Sequence, residues 1–509
     1  MIARGSSHLI VKPRFKAEQI QKILELRVNH GDYQGRELPT ERELAVELGV
    51  SRNTVIRVYD QLQTEGYIDV KTGSGATVTR VLPESLLNVP SSGGEPGAPS
   101  RLARSARPRR PPRRVSPNPG PSRLGELLAE SPSIAIAAAR LGGWTKPFQT
   151  GTPALDEFPI EIWARLVARH LRDPATSLLA YGSPAGYPPL RVAIAAYLGA
   201  SRGVQCTAEQ VIIVGGAQSG LDLAVRTLLD PGESAWVEDP GYVGARAALM
   251  AAGADIVPVP VDANGLDVSA GEAREPDARM VIVTPGHHYP LGSSMSLPRR
   301  HQLLDWATRT GAWVVEDDYD GEFRYAGRPL AALQSLRPDG PVIYIGTFSK
   351  ILFPALRLGY LVVPPELIRT FIAVRLAIDV TAPTLEQVAL TDFIAEGHFA
   401  RHIRRMRTLY AQRATTLVAA ARRELHGLLD VQMPTSGMNT LGVLPPGVDE
   451  REAARRAAAH DVTVLPLSRC AIEPIERSGL VLGFASADEA AIQAGMRRLA
   501  DALRPLVHG

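Results

Sequence analysis

From about Trp144 onward, short apolar runs rich in β-branched residues alternate with stretches of helical periodicity. The runs are QVIIVGG, SAWVEDP, ARMVIVTP, AWVVEDDYD, PVIYIGTFSK and LGYLVVP, and the stretches between them include AQSGLDLAVRTLLD and PRRHQLLDWATRTG. Continuous apolar strands separated by helices predict a mostly parallel β-sheet covered by helices on both faces. The larger part of the chain is therefore expected to adopt an α/β fold that binds ligands beyond the carboxyl ends of its strands.

Length and composition limit the class of protein further. A chain of 509 residues is too long for one core and predicts roughly three domains. No apolar run approaches the roughly 20 residues of a membrane-spanning helix, and no secretion signal is recognisable. The two cysteines, Cys206 and Cys470, lie far apart, so we expect a reducing cytoplasm.

The net charge of +3 is unevenly distributed along the chain. Residues 1–80 carry twelve Lys and Arg against ten Asp and Glu, and residues 81–123 carry eight Arg against two Glu. The remaining residues carry a net charge of −5. A basic front end predicts a polyanionic partner there.

Residues 81–141 mix Pro, Gly, Ser and Arg with few large apolar residues. Such a segment cannot bury enough surface to offset the entropy of ordering it, so it predicts a flexible linker. The linker is either a solvated tether or a tether whose arginines also touch DNA phosphates.

Residues 11–80 have the pattern of a compact unit. FKAEQIQKILELRVNHG predicts an amphipathic helix, LPTERELAVELGV starts with a capping box from Thr40 to Glu43, and a third helix restarts at Ser51. YIDVKTGSGATV predicts two short strands around a turn. This order is that of a winged helix-turn-helix, which places its third helix in the major groove of double-stranded DNA.

The predicted DNA contacts lie at the start of the third helix and in the wing. They are Ser51, Arg52, Asn53, Thr54, Arg57, Lys71, Gly73, Ser74 and Gly75. The alternative is a surface helix with ordinary solvated charges. LPTERELAVELGVSRNTVIRVYDQLQTEGYI and TGSGATV resemble the N-terminal domain of the GntR family, and this resemblance adds Arg42 to the expected contacts.

Lys350 stands at the end of the apolar run YIGTFSK, where a strongly hydrated ammonium group needs a partner. Asp317 follows AWVVE, at a neighbouring predicted strand end. A simple internal ion bridge would explain these two residues but not the polar residues predicted around them.

A lysine, a carboxylate, an aromatic ring and a phosphate cradle together match pyridoxal 5′-phosphate (PLP). Lys350 would form a Schiff base with its aldehyde, and Asp317 would keep its pyridine nitrogen protonated. Tyr319, with His287, would bond the ring oxygen, and Tyr242 would stack on the ring. The expected phosphate cradle and its neighbouring hydroxyl groups are Gly216, Ala217, Gln218, Thr347, Ser349 and Arg357. No His, Cys and Asp spacing typical of a metal site is present.

Five segments resemble the fold-type I aminotransferase module of the MocR (GabR-like) regulators: YGSPAGYPPLRVAIAAYL, EDPGY, VTPGHHYPLGSSM, EDDYDGEFRY and IGTFSKILFPALRLGYL. The resemblance implies an aminotransferase-like effector domain over residues 142–509, with a smaller C-terminal α+β subdomain at about 415–509. It also implies a PLP-dependent transcription regulator that forms a homodimer.

Two departures from this family concern the ligand. Gly286-His287-His288 stand where the family commonly has Ser-His-Gln. Val481 stands where related aminotransferases have the arginine that holds a substrate carboxylate. Arg469 and Arg477 are the remaining candidates for that role, and if neither serves, the effector is not a plain α-amino acid.

The leading hypothesis is a transcription regulator that senses PLP itself or an amine or amino-acid-like effector at Lys350. Partial transamination half-reactions are compatible with it. The alternative is an active aminotransferase with an appended DNA-binding domain, because the cofactor chemistry is the same. A third hypothesis is a plain repressor whose large domain holds no cofactor.

Overall fold

The computed structural model describes residues 38–64, 68–71, 75–78, 120–131, 146–172, 178–325 and 330–507. The chain divides into two compact units, Met1–Arg114 and Val115–Gly509. The helix predicted in FKAEQIQKILELRVNHG lies outside the described residues, as do Gly73, Ser74 and most of the predicted linker.

The first unit contains helices α1 (Glu41–Leu48) and α2 (Arg52–Thr64) and strands β1 (Ile68–Lys71) and β2 (Gly75–Val78). The predicted capping box is confirmed: the Thr40 hydroxyl accepts from the Glu43 N–H at 3.3 Å, and the Glu43 carboxylate accepts from the Thr40 N–H at 2.9 Å. β1 and β2 pair antiparallel, as expected for a wing. The apolar faces of these elements share one core, which includes Leu38, Leu44, Val55, Val58, Leu62 and Ile68.

One part of the predicted linker is not irregular. Residues Arg123–Ala129 form helix α3, and the Ser122 hydroxyl caps it by accepting from the Gly125 N–H at 3.1 Å. The expectation of a structureless tether over 81–141 is therefore wrong for this segment. A favourable N-cap residue followed by several leucines was the sequence signal for this helix.

The second unit is built on an eight-stranded sheet with the order β3-β10-β9-β8-β7-β4-β5-β6. Its strands are β3 (Val211–Val214), β4 (Ser234–Asp239), β5 (Asp255–Asp262), β6 (Gly265–Leu266), β7 (Met280–Val283), β8 (Trp313–Asp318), β9 (Val342–Thr347) and β10 (Gly359–Val362). Every strand predicted from an apolar run is present. β5, β4, β7, β8 and β9 are mutually parallel, which confirms the predicted sheet type.

Strand β10 runs antiparallel to both of its neighbours, β3 and β9. The connection from β9, residues 348–358, contains only one short 3-10 turn. A parallel crossover needs a longer connection, usually with a helix, so this short loop returns the chain in the opposite direction.

Helices cover the sheet on both faces, as predicted. Side chains of β4 show this directly, because Trp236 packs in one apolar core and its neighbours Ala235 and Val237 pack in another. The helices of this part are α4 (Ile160–Arg172), α5 (Pro188–Arg202), α6 (Ala217–Leu228), α7 (Val243–Ala252), α8 (Val268–Arg274), α9 (Leu297–Thr310), α10 (Leu333–Leu336), α11 (Ile368–Ile378) and α12 (Thr384–Ala395). Within the described ranges, no helix is both long and apolar enough to cross a membrane.

The C-terminal part adds a four-stranded antiparallel sheet with the order β11-β12-β14-β13. Its strands are β11 (Asp430–Val431), β12 (Asn439–Val443), β13 (Leu465–Pro466) and β14 (Gly479–Gly483). The helices around it are α13 (His398–Glu424), α14 (Glu450–Ala459) and α15 (Glu489–Val507). Leu480 and Leu482 of β14 join the largest apolar core, which ties this sheet to α13 and α15.

Candidate functional site

A cavity of about 230 Å³ lies beyond the carboxyl ends of β3, β4, β7, β8 and β9. Every residue predicted to hold a cofactor lines it, except His287. The lining residues are Gly151, Thr152, Gly216, Ala217, Gln218, Tyr242, Thr284, Tyr289, Asp317, Tyr319, Thr347, Ser349, Lys350, Pro354, Arg357 and Asn439. Residues from five strand ends therefore meet at one site, as the α/β pattern predicts.

Lys350 reaches the cavity from the loop that follows β9. Its ammonium group donates to the carbonyl oxygen of Gly151 at 2.7 Å. Phe348 and Ile351, on either side, are almost completely buried, and the Phe348 N–H donates to the Leu358 carbonyl at 3.0 Å. Because these neighbours are buried, they hold the loop in place and thereby fix the position of the lysine backbone.

Asp317 lies in β8, and its strand pairs in parallel with β9. Its side chain is buried, and the Oδ1 atom has no hydrogen-bond partner. Burial, with added repulsion from Asp318 and Asp320, raises the pKa of Asp317 to about 7, and Lys350 opposes this rise. A buried acid without a partner on one oxygen is costly, so this position calls for a cationic N–H group from a ligand.

Tyr319 and His287 form a hydrogen-bonded pair at one wall of the cavity. The Tyr319 hydroxyl lies 3.0 Å from His287 Nδ1, which is also 3.0 Å from Asp320 Oδ1. Burial raises the pKa of Tyr319 well above its usual value, which keeps the phenol protonated. His287 does not line the cavity; it lies behind Tyr319 and orients this hydroxyl.

Tyr242 and Gln218 form a second hydrogen-bonded pair in the lining of the cavity. The Tyr242 hydroxyl donates to Gln218 Oε1 at 3.2 Å, and Gln218 Nε2 donates to the Gly244 carbonyl at 2.9 Å. A Cβ atom at Gly244 would overlap both side chains. The glycine therefore allows the tyrosine ring and the amide to pack against the first turn of α7.

The N-terminus of α6 offers backbone N–H groups to the cavity. Its N-cap residue, Gly216, has a φ of 102° and gives no side-chain cap to the helix. Arg357, itself in the left-handed region with a φ of 51°, places its guanidinium 3.6–3.8 Å from the position of a Cβ atom on Gly216. A helix N-terminus with a guanidinium over it is suited to bind a phosphate.

Two hydroxyl groups complete this anion site. The Ser349 Oγ atom is buried without a hydrogen-bond partner. Thr347 Oγ1 accepts from the Ser349 N–H at 3.2 Å, which positions the serine backbone. A buried hydroxyl with no partner in the protein is suited to bond a ligand atom at this point.

Glu238 and His288 form a buried pair next to Thr284, which lines the cavity. Burial raises the pKa of Glu238 to about 8, even though Thr284 donates to it through its N–H and its hydroxyl. Burial lowers the pKa of His288 to about 3, and His288 Nε2 lies 3.6 Å from Glu238 Oε2. The histidine is therefore neutral beside a protonated carboxyl, and it adds no charge near the site.

The arginines predicted to hold an effector carboxylate do not reach the cavity. Arg469 lies in the 3-10 turn Leu467–Cys470 and Arg477 lies before β14, and both are exposed to solvent. Val481 is completely buried in β14. The structure therefore does not bring either arginine together with Lys350.

The sequence did not predict several of the lining residues. Asn439 starts β12 and is 1% exposed, with its Nδ2 atom unpartnered. Gly151 and Thr152 come from the segment before α4, far from the strand ends in sequence. Thr284 and Tyr289 stand in VTPGHHYPLGSSM, and that segment was their only sequence signal.

In the first unit, the predicted DNA contacts lie on the surface of α1 and α2. Arg42, Ser51, Arg52, Asn53 and Arg57 are exposed, and Thr54 is half-buried. The Ser51 hydroxyl caps α2 by accepting from the Thr54 N–H at 3.2 Å, and Arg52 pairs with Glu41 at 2.9 Å. Lys71 ends β1 and Gly75 starts β2, while Gly73 and Ser74 lie outside the described residues.

The residues of the cavity fit PLP, since it supplies the groups that the site lacks. Its protonated ring nitrogen would meet the unpartnered Oδ1 atom of Asp317, and its phosphate would meet Ser349, Arg357 and the N-terminus of α6.

Comparison with known proteins agrees with both parts of this description. Residues 16–78 match the family of bacterial regulatory proteins, gntR family, and residues 148–499 match aminotransferase class I and II. The chain is 40% identical to the probable rhizopine catabolism regulatory protein MocR of Rhizobium meliloti, over 92% of this chain and 90% of that protein. It is 30% identical to the pyridoxine biosynthesis transcriptional regulator PdxR of Corynebacterium glutamicum, over 92% and 91%.

A solved structure resembles the second unit. LysN, the α-aminoadipate aminotransferase of Thermus thermophilus in complex with N-(5′-phosphopyridoxyl)-L-leucine, has a TM-score of 0.69 and 30% identity. The match covers 76% of this chain and 97% of that one.

Proposed function

Because the chain belongs to the MocR-like regulators of the GntR family, with a GntR head and an aminotransferase class I and II domain, we propose that it is a PLP-dependent transcription regulator. The observation that carries the proposal is one cavity that holds both Lys350 and the buried acid Asp317, one oxygen of which has no hydrogen-bond partner, in a chain that also has a GntR head. In the proposed domain organisation, residues 11–80 bind DNA and residues 142–509 bind the effector. Residues 81–141 link these two domains.

The proposed cofactor attachment is a Schiff base at Lys350. When bound, PLP supplies an aldehyde carbon that takes up primary amines and a ring that withdraws electrons. Asp317 would hold the ring nitrogen, Tyr319 would bond the ring oxygen, and Tyr242 would stack on the ring. Ser349, Arg357 and the N-terminus of α6 would hold the phosphate.

The effector is a small amine or PLP itself. A ligand shifts a regulator only if it binds two arrangements of the protein with different affinity. We propose that the occupied cavity favours one placement of the DNA-binding heads in a cytoplasmic homodimer. The relative named for pyridoxine biosynthesis supports PLP as one such effector.

The test measures DNA binding by the full-length chain with its cofactor site intact or removed. A DNA site is first selected from a random-sequence library with the wild-type protein, and its Kd is measured with and without PLP and a panel of small amines. We expect a change of at least about fivefold in the wild type and none in Lys350→Ala.

Lys146→Ala is the matched control, because Lys146 lies outside the cavity and pairs with Asp461 at 3.4 Å. We expect this variant to keep the wild-type change in Kd for DNA on addition of PLP or amines. An identical Kd under all conditions in the wild type would remove the sensing role.

A second candidate is an active aminotransferase with a DNA-binding head, which the likeness to LysN favours. Sustained conversion of an amino donor and a keto acid over many turnovers would support the enzyme. Conversion that stops after one equivalent of PLP would support the regulator.

A further inference from the structure

Several polar side chains among the described lining residues have no role in the proposed cofactor contacts, and one of them is a buried donor without a partner. Asn439, at the start of β12, is 1% exposed and lines the cavity, and its Nδ2 atom has no hydrogen-bond partner. A buried amide donor without a partner has lost its hydrogen bonds to water without gaining one in the protein. Asn439 is therefore placed to bond a ligand atom in the cavity.

The register of the small sheet identifies which neighbours share this wall. Asn439 pairs with Gly483 and Leu441 pairs with Val481, and directly opposite residues of an antiparallel pair point to the same face. Val481 therefore lies on the same face as Asn439, two residues along β14 from the glycine opposite it. This position holds a completely buried valine, with no charge to offer an anion.

The charges of the cavity do not favour a second anion. Among the described lining residues, the cations are Lys350 and Arg357, and the proposed function assigns both to PLP. Arg357 lies over the N-terminus of α6, and Asp317 adds a carboxyl to the same cavity. A ligand carboxylate beside Asn439 would thus be buried with no further cation among the described lining residues, which is strongly unfavourable.

A neutral polar group on the ligand would not carry the cost of a buried, unpaired charge. An amide side chain has two N–H donors and a carbonyl acceptor, so it can bond a hydroxyl or a carboxamide without a charge. The Thr152 hydroxyl, from the segment before α4, lines the same cavity and adds a second neutral partner. Both groups are suited to recognise a ligand that is polar but carries no negative charge.

We propose that the effector is a primary amine whose second recognition group is a neutral hydroxyl or carboxamide, held by Asn439, in place of a carboxylate. This inference rests on the proposed function, because the amino group is the part of the ligand that PLP takes up. It deepens that function by assigning the ligand class and a residue that determines specificity.

The test uses three probes with the same carbon chain and different ends: 3-aminopropan-1-ol, 3-aminopropanamide and 3-aminopropanoate. Each is titrated calorimetrically into the PLP-loaded full-length protein, and propylamine measures the amine alone. We expect the alcohol and the amide to bind at least about tenfold more tightly than the carboxylate, corresponding to one or two hydrogen bonds and an avoided buried charge.

Asn439→Leu keeps the approximate size of the side chain and removes its hydrogen bonds. It should weaken binding of the alcohol and the amide by about tenfold and leave propylamine within about twofold. Asn264→Leu is the matched control, since Asn264 is exposed in the β5–β6 turn and does not line the cavity. The wild-type order of affinities remains a test if Asn439→Leu does not fold.

The outcomes separate the two proposals. A PLP-loaded protein that prefers 3-aminopropanoate, or that binds none of the probes, overturns the inference and leaves PLP attachment intact. An unchanged preference in Asn439→Leu overturns the role of Asn439. Absence of PLP from Lys350, measured on the same sample by borohydride trapping, would reject the proposed function itself.

Discussion

Burial of Asp317 disfavours its ionised form, whereas its proposed role of holding a protonated ring nitrogen needs that ionised form. Its carboxyl is buried at a strand end, one oxygen has no partner, and burial raises its pKa to about 7. Removing such a group from water destabilises its charged form, and only a cationic partner recovers the cost. The acid therefore weakens the cofactor-free protein and strengthens the loaded one.

This conflict predicts a pH-dependent effect of Asp317→Asn on the cofactor-free protein. The carboxyl ionises near its ordinary pKa in the unfolded chain but only at about pH 7 in the fold, so its contribution to stability falls between about pH 4 and pH 7. Asparagine stays neutral. The Tm of the variant relative to wild type should rise over this interval and then level off, and a difference independent of pH would contradict the pKa shift.

At the residue scale, the sequence predicted the charged residues of the cavity, Lys350 and Asp317, but did not predict the neutral Asn439. Lys350 and Asp317 were predictable because a charged side chain at the end of an apolar run is costly and needs a reason. Asn439 gave no such signal, since an asparagine at the start of a strand is an ordinary polar residue. It lies at the cavity because the start of β12 meets the strand ends of the large sheet, and the sequence pattern does not encode this contact.

At the scale of elements, the N-terminus of α6 and the loop before β10 form the anion site together. Gly216 caps the helix with a φ of 102°, and Arg357 brings its guanidinium within 3.6–3.8 Å of the space where a Cβ would stand. A side chain at position 216 would be strained and would also contact the guanidinium. The glycine therefore serves both the backbone turn and the space for a phosphate.

Gly216→Ala should lower both the stability of the protein and its affinity for PLP. Gly216 has a φ of 102° and a ψ of 173°, a region nearly restricted to glycine, so alanine there costs about 1–3 kcal/mol. Its methyl group would occupy the space beside Arg357, so we expect at least about a tenfold loss of PLP affinity by fluorescence titration. Gly232→Ala is the matched control, because Gly232 has a φ of 90° with nothing within 4 Å of its Cβ position. It should lower the Tm alone, and an equal loss of PLP affinity in both variants would contradict the account.

The order of elements was largely predictable, and their pairing was not. Apolar runs predicted six of the eight strands of the central sheet, all except β5 and β6, and capping residues predicted the start of α1. The antiparallel insertion of β10 between β3 and β9 depends on a short connection whose course the apolar pattern does not encode. Helix α3 was missed because proline and arginine dominate the segment around it.

At the scale of the whole molecule, the excess of basic residues and the residues that line the cavity lie in different parts of the chain. The excess of positive charge lies within the first 123 residues, and the remainder is net negative. This distribution supports DNA binding by the front part and ligand binding by the larger part.

This chain contains few lysines, so a test for PLP attached to a lysine has few alternative sites. The sequence has six lysines, at positions 12, 16, 22, 71, 146 and 350, while its other basic residues are arginines. From residue 115 onward the only lysines are therefore Lys146 and Lys350. A reagent that traps PLP on an amine thus has few competing positions.

The most direct measurement is to load the full-length protein with PLP, reduce it with borohydride and map the modified peptide by mass spectrometry. The account predicts one pyridoxyl group per chain on Lys350, with Lys146 unmodified, and no stable adduct in Lys350→Ala. A wild-type protein without an adduct, or with its adduct on another lysine, would contradict it.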